Sequence, residues 1–231
     1  MLVGKETSMT FQDLWEKQPS KSATVNAIRD WYLNDEFRPI VVQGFHGYGK
    51  SSFAAHIASE IYGTWNWNIL KEYIVFHPRE FLEKIMKVKQ KHPLIVWDDA
   101  GYWLNSMDYQ NKFVKAVGKY MQVARIDWAC IMFTSISAKD VISKVRGIEG
   151  RYKVKITKKG SGELSPHRRT ATTFEYWESP DGSQYGETGL YDEYFKAWMP
   201  QNYYDGYLPY RRSFTQQAKR TIKEHIKDIV E

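Results

Sequence analysis

Residues 44–51, Gly-Phe-His-Gly-Tyr-Gly-Lys-Ser, restrict the folds open to this chain more than any other stretch. Gly44, Gly47 and Gly49 lie between the apolar run Ile40-Val41-Val42 and a segment with Phe53, Ala54, Ile57, Ala58 and Ile61 at helical spacing. A glycine-rich turn joining a buried strand to a helix lets backbone N–H groups converge on a phosphate at the positive end of the helix. At this spacing Lys50 reaches the β and γ oxygens of a nucleotide, and the Ser51 hydroxyl helps hold Mg²⁺. Gly44, Phe45, His46, Gly47, Tyr48, Gly49, Lys50, Ser51 and Ser52 are therefore the candidate nucleotide contacts. His46 and Tyr48 occupy variable loop positions, where a side chain either touches the nucleotide or faces solvent.

The pattern around the loop predicts two short amphipathic helices, 10–17 and 23–33, ahead of the strand 38–42. After the loop helix 51–62 come a strand 72–76, a helix 79–89, a strand 93–97, a helix 109–123, a strand 128–135, a helix 139–145 and a strand 152–157. Strands alternating with helices mean βαβ units, a mostly parallel sheet, and ligands at the carboxyl ends of the strands. The expected class is α/β, a three-layer fold with a central, mostly parallel sheet. Residues 1–158 form its core, and 159–231 a basic loop, a β-hairpin and a helical extension. The hairpin is expected from 172–177 and 184–188 around Pro180-Asp181-Gly182, followed by a short helix 191–198, an irregular 200–212 and a terminal helix 214–229.

Leu94-Ile95-Val96-Trp97-Asp98-Asp99 is an apolar strand ending in carboxylates. With a phosphate loop upstream, Asp98 is the candidate metal ligand together with Ser51, and a helix cap or turn is the plainer use of an Asp pair. Asp99 stands where it can polarise an attacking water, with Asp98 itself and Glu72 as the alternative carboxylates. The strand 128–133 runs into Thr134-Ser135, either of which can sense a γ-phosphate. Arg146 and Arg151 bracket Gly147-Ile148-Glu149-Gly150. An arginine there, supplied to a neighbouring subunit, can stabilise charge on a transferring phosphoryl group, and a solvated surface arginine is the ordinary alternative.

Gly44 to Ser51, Ile95 to Asp99 and Thr134-Ser135, in this order and spacing, make the stretch 20–157 resemble the RecA/AAA+ type of P-loop ATPase. The Asp-Asp-Ala-Gly-Tyr-Trp run at 98–103, the small size and the aromatic-rich tail are similar to compact DnaA-like or RecA-like ATPases of archaeal viruses and plasmids. The resemblance implies ATP and Mg²⁺ as ligands, Lys50 and Asp99 as catalytic groups, and Thr134 or Ser135 as the sensor of the γ-phosphate. The helical lid and helix-turn-helix domain usual in DnaA-like initiators are not evident after Thr157.

The chain of 231 residues carries a net charge of +6, with a pI of about 9.1, which favours an anionic partner such as DNA. Lys153, Lys155, Lys158, Lys159, Arg168, Arg169 and a basic terminal helix could neutralise phosphates without reading sequence. Hydrolysis of ATP coupled to work on DNA in replication, partition or packaging, as a homo-oligomer, is the leading expectation. A nucleotide or small-molecule kinase and a nucleotide-dependent protein-binding switch are the alternatives. Asn111-Lys112-Phe113-Val114 lacks the aspartate of a guanine-reading Asn-Lys-x-Asp motif, which argues against GTP. No apolar run approaches the ~20 residues of a membrane span, and the first residues lack the apolar core of a signal peptide. Cys130 stands alone, so a cytoplasmic, reducing setting is expected.

Overall fold

In a computed structural model, residues 10–105, 110–158 and 167–230 are described, side chains at 217–218 and 221–230 excepted. Helices α1 (Phe11–Lys17) and α2 (Ala23–Leu33) lead into β1 (Ile40–Gln43), α3 (Lys50–Tyr62), α4 (Trp67–Leu70), β2 (Ile74–Val75) and α5 (Pro78–Lys87). There follow β3 (His92–Trp97), α6 (Ala100–Trp103), α7 (Lys112–Tyr120), β4 (Trp128–Ser135), α8 (Ser143–Arg146), β5 (Tyr152–Thr157), β6 (Arg168–Glu178), β7 (Tyr185–Lys196) and α9 (Gln201–Val230). Local chemistry sets the helix starts. Thr10 and Asp13 form a reciprocal capping box on α1, Ser22 caps α2, and Pro78 opens α5 behind a His77–Glu80 box.

The strands form one seven-stranded sheet in the order β2-β3-β4-β1-β5-β6-β7. From β2 to β5 every pairing is parallel, while β6 and β7 add on antiparallel. β4 lies between β1 and β3, so the strands carrying Gly44, Asp98 and Thr134 are consecutive neighbours. Every residue of β4 is buried, as expected where helices cover both faces of a parallel sheet. Alternate side chains feed two cores. On one side Ile40, Val42, Leu94, Val96 and Met132 pack with α2 and α3. On the other, Val41, Ile95, Trp97, Ile131 and Phe133 pack with Phe81, Val114, Val117 and Val145.

The second half of the chain differs from expectation in several places. Residues 191–196, expected to be helical, belong to β7, because Tyr191 and Phe195 alternate inward onto the first core. Residues 201–212, expected to be irregular, are the start of the long α9, in which Tyr203, Tyr207, Tyr210 and Phe214 recur at helical spacing against that core. The hairpin strands run 168–178 and 185–196, well beyond the expected 172–177 and 184–188. The expected helix 139–145 is a 3₁₀ turn at 138–140 followed by the short α8. The strand expected over 72–76 shortens to Ile74–Val75. Most of the basic loop expected over 158–169, Lys159 included, lies outside the described residues, as does Tyr109.

Candidate functional site

β1 delivers the glycine-rich loop to the N-terminus of α3, whose first residue is Lys50. Gly49 caps that helix with φ +93°, and a Cβ there would stand 2.7 Å from the Ala197 Cβ just beyond β7. Left-handed geometry and close approach together explain the glycine. The Lys50 ammonium donates to the Gly44 and Phe45 carbonyls at 2.9 and 3.2 Å, inside the curl of the loop. Burial lowers the Lys50 pKa, and the Asp99 and Asp98 charges work against that shift.

Ser51 Oγ donates to Asp98 Oδ1 at 3.0 Å, bringing the first helical turn after the loop against the end of β3. Thr134, at the end of the adjacent β4, engages both residues of the Asp98-Asp99 pair. Its hydroxyl donates to Asp98 Oδ1 at 2.5 Å and accepts the Asp99 backbone N–H at 2.8 Å. Ser135 turns the other way and donates to Asp140 at 3.2 Å. Of the two sensor candidates, Thr134 is therefore the one that meets the Asp98 carboxylate. Asp99 adopts left-handed backbone geometry, φ +54°, at the start of α6. Such a conformation is unfavourable for a residue with a Cβ and persists where surrounding contacts hold it. Burial raises the Asp99 pKa and the Asp98 charge raises it further, against Arg211 and Lys50.

Sequence reasoning missed two residues at this point. Tyr207 of α9, 3% exposed, donates its hydroxyl to Asp98 Oδ2 at 3.0 Å. One helical turn on, Arg211 reaches Asp99 Oδ2 at 2.9 Å and the Tyr207 hydroxyl at 3.2 Å. α9 can approach this closely because of Gly206, where a Cβ would fall 2.3 Å from the Trp67 ring. The i, i+4 spacing of Tyr207 and Arg211 is visible in the chain, but their target, more than a hundred residues upstream, is not.

A cleft of about 640 Å³ opens over Gly47, Lys50, Ser51, Asp99 and Arg211, closed on the far side by residues after β7 such as Trp198 and Met199. His46 lines it, whereas Tyr48 stacks edge-on against Phe45 and packs on the core. Arg146 and Arg151 are elsewhere. Arg151, 3% exposed, pairs with Glu187 at 3.1 Å and donates to the Arg146 carbonyl. Burial, together with the Arg146 charge, brings its pKa down to about 10. Both arginines line a separate cleft beside Gln43 and Lys153. Glu72 pairs with Lys84 at the sheet's opposite edge. The donor set suits a magnesium nucleotide: loop amides and an ammonium for phosphate oxygens, one hydroxyl and one carboxylate for a hard divalent cation.

A mostly parallel α/β sheet with a strand–glycine loop–helix unit at its centre and carboxylates on a neighbouring strand defines a P-loop type of nucleotide site. No family model matches the chain. The uncharacterized protein ORF286 of Acidianus two-tailed virus is 30% identical over 128 residues, covering 53% of this chain and 44% of that protein. The uncharacterized protein B-251 of Sulfolobus spindle-shape virus 1 is 27% identical over 135 residues, covering 54% and 53%. The chain thus spans about half the length of the curated relatives it matches. Among solved structures, the N-terminal domain of the zonular occludens toxin from Neisseria meningitidis aligns with a TM-score of 0.40 at 11% identity, over 74% of this chain and 98% of that one. Among the described residues, no helix is long and apolar enough to cross a membrane.

Proposed function

We propose that this chain is a Mg²⁺-dependent ATPase of the RecA/AAA+ group, a three-layer P-loop core at 1–158 elaborated by 159–231. In this reading it works in the cytoplasm, as an oligomer, coupling hydrolysis to work on DNA during replication, partition or packaging in a viral or plasmid setting. One observation carries it: Ser51 and Thr134, from two separate elements, both donate to the carboxylate of Asp98 after a third, beside Lys50. That is the arrangement phosphoryl transfer needs, since its catalysis is largely positioning and charge stabilisation. The loop amides and Lys50 hold phosphate oxygens, and Ser51 and Asp98 hold the metal. Asp99 takes a proton from water, its upward-shifted pKa making it a stronger base than an ordinary aspartate. Bound Mg²⁺-ATP supplies the electrophilic phosphorus and the charge that orients its oxygens. Arg211 is the arginine nearest this chemistry. The virus proteins similar to this chain support the setting, and the net charge of +6 supports a nucleic-acid partner.

A second reading, phosphoryl transfer to a small acceptor, is favoured by one feature. A neighbouring cleft of about 530 Å³, walled by Phe76, Trp103 and Phe214, shares His46, Asp99 and Arg211 with the phosphate cleft. Steady-state ATP hydrolysis with and without single- and double-stranded DNA, at two salt concentrations, separates the two. We expect turnover that DNA stimulates at low salt, reduced about a thousandfold by Lys50→Ala. Wild-type rates in that variant would remove the site assignment. Lys50-dependent turnover indifferent to DNA would shift the reading to an acceptor kinase.

A further inference from the structure

The sheet face packed by α5, α7 and α8 continues past β1. By register, Val41 is followed across the sheet by Lys153 of β5 and Phe174 of β6, and Gln43 by Lys155, Thr172 and Asp192. On this extension Lys155, Arg168 and Lys196 are exposed, and Tyr194 is 60% exposed. Three cations lie over three rings on this same face: Arg151 over Tyr176 at 5.3 Å, Lys153 over Phe174 at 4.9 Å, and Arg168 over Tyr194 at 4.8 Å. Glu187, one of three carboxylates here, is engaged by Arg151 and Lys153. Against Asp192 and Glu178, the other two, Lys155, Arg168 and Lys196 leave the surface a positive excess. A cleft of about 630 Å³, lined by Lys139, Arg146 and Tyr185 among others, extends it toward the end of β1.

We infer that this open face of β5, β6 and β7 is a binding surface for single-stranded nucleic acid. The inference deepens the DNA part of the proposed function and rests on it. Rings alternating with cations on a flat sheet match a strand whose bases are unstacked and whose phosphates recur between them. Each base offers a π face to Phe174, Tyr176 or Tyr194, while Lys155, Arg168 and Lys196 meet the backbone. A duplex keeps its bases stacked inside and leaves the rings without partners, and an acidic polypeptide would use the cations alone.

The surface also adjoins the phosphate cleft through a shared turn. The turn 137–140 carries Lys139 at the cleft rim, accepts the Ser135 hydroxyl on Asp140 at 3.2 Å, and donates the Ala138 N–H to the Gln43 side chain at 2.9 Å. Ser135 directly follows Thr134, and Gln43 directly precedes the glycine loop. A strand seated on the face would therefore lie beside a turn bonded to Ser135 and Gln43.

Fluorescence anisotropy of a labelled oligothymidylate of roughly 20 nucleotides, without nucleotide and at two salt concentrations, tests this. Tyr194→Ala should weaken binding about tenfold, the loss of one stacked base. Lys155→Gln should lower the salt dependence by about 0.7 in the log–log slope, one phosphate fewer neutralised. Thermal melts and binding of a fluorescent ATP analogue establish that both variants are folded. Any of three results would overturn the inference: no oligothymidylate binding at low salt, both variants binding as wild type, or a duplex or polyglutamate binding as tightly as the single strand. Lys50→Ala should bind the oligonucleotide normally. Oligonucleotide binding in a wild-type protein that turns over no ATP would fail the ATPase reading and leave this surface standing.

Discussion

The sheet from β2 to β5 and the region from β6 to α9 reach the same site by different routes. In the first, the chemistry gathers where strands end: Gly44 after β1, opening the loop to Lys50 and Ser51 on α3, Asp98 after β3, and Thr134 near the end of β4. The parallel topology aligns those ends, so neighbouring strands suffice to assemble the chemistry. In the second, β6 and β7 run antiparallel. Their contribution is His167 and Arg169 at the start of β6 and the chain after β7, which wall the cleft, and α9, which crosses to the carboxylates. A site built at strand ends tolerates change in its helices. A site completed by a docked helix depends on the packing of that helix.

The difference can be broken at Gly206. Replacing it with Val forces a Cβ toward Trp67, and overpacking of this kind costs about 1–3 kcal/mol. Chemical denaturation should show that loss, together with weakened nucleotide affinity. Unchanged stability would mean that α9 docks without the close Trp67 approach. A smaller effect is expected from Tyr207→Phe, which keeps the packing and removes the hydroxyl from Asp98. Melting of the nucleotide-free protein should report a loss of about 1 kcal/mol, and added MgADP should stabilise the variant more than wild type, because Asp98 is then released from one competitor. Equal MgADP shifts would separate α9 from the metal site.

The smallest effect is one of pH. The Asp99 pKa is raised in the folded protein, so between the ordinary carboxylate value of about 3.9 and the raised one the folded state holds more protons than the unfolded. The stability from protonated Asp99 is fully present below that window and is lost as pH rises through it. Asp99→Asn should remove this part of the slope, visible in melts collected from pH 4 upward. A superimposable slope in the variant would mean that Asp99 has an ordinary pKa.

The first region was legible because its signals are local. Gly44 to Ser51, the apolar runs 40–42 and 93–97, and the carboxylates at 98–99 each declare an element and its chemistry within a few residues. The region after β5 was less legible because its signals conflict. Gly206 and Pro209 argue for a break, and Pro209 supplies no N–H to a helix interior, yet Tyr203, Tyr207, Tyr210 and Phe214 keep helical spacing and their burial decides the outcome. Tyr191 to Lys196 looks helical by composition, whereas the alternation of Tyr191, Glu193 and Phe195 with Asp192, Tyr194 and Lys196 is that of a strand. For Arg211 the spacing from Tyr207 was visible but its target was not, because that target is Asp99, 112 residues away.

That separation has a consequence for synthesis. Asp98 and Asp99 leave the ribosome long before Tyr207 and Arg211, so a nascent chain can pair its parallel strands while both carboxylates still lack their partners from α9. Closing contacts of this sequence separation comes late, after the entropy of the intervening chain has been lost. A growing chain therefore acquires its phosphate loop first and the helix that bonds its carboxylates last.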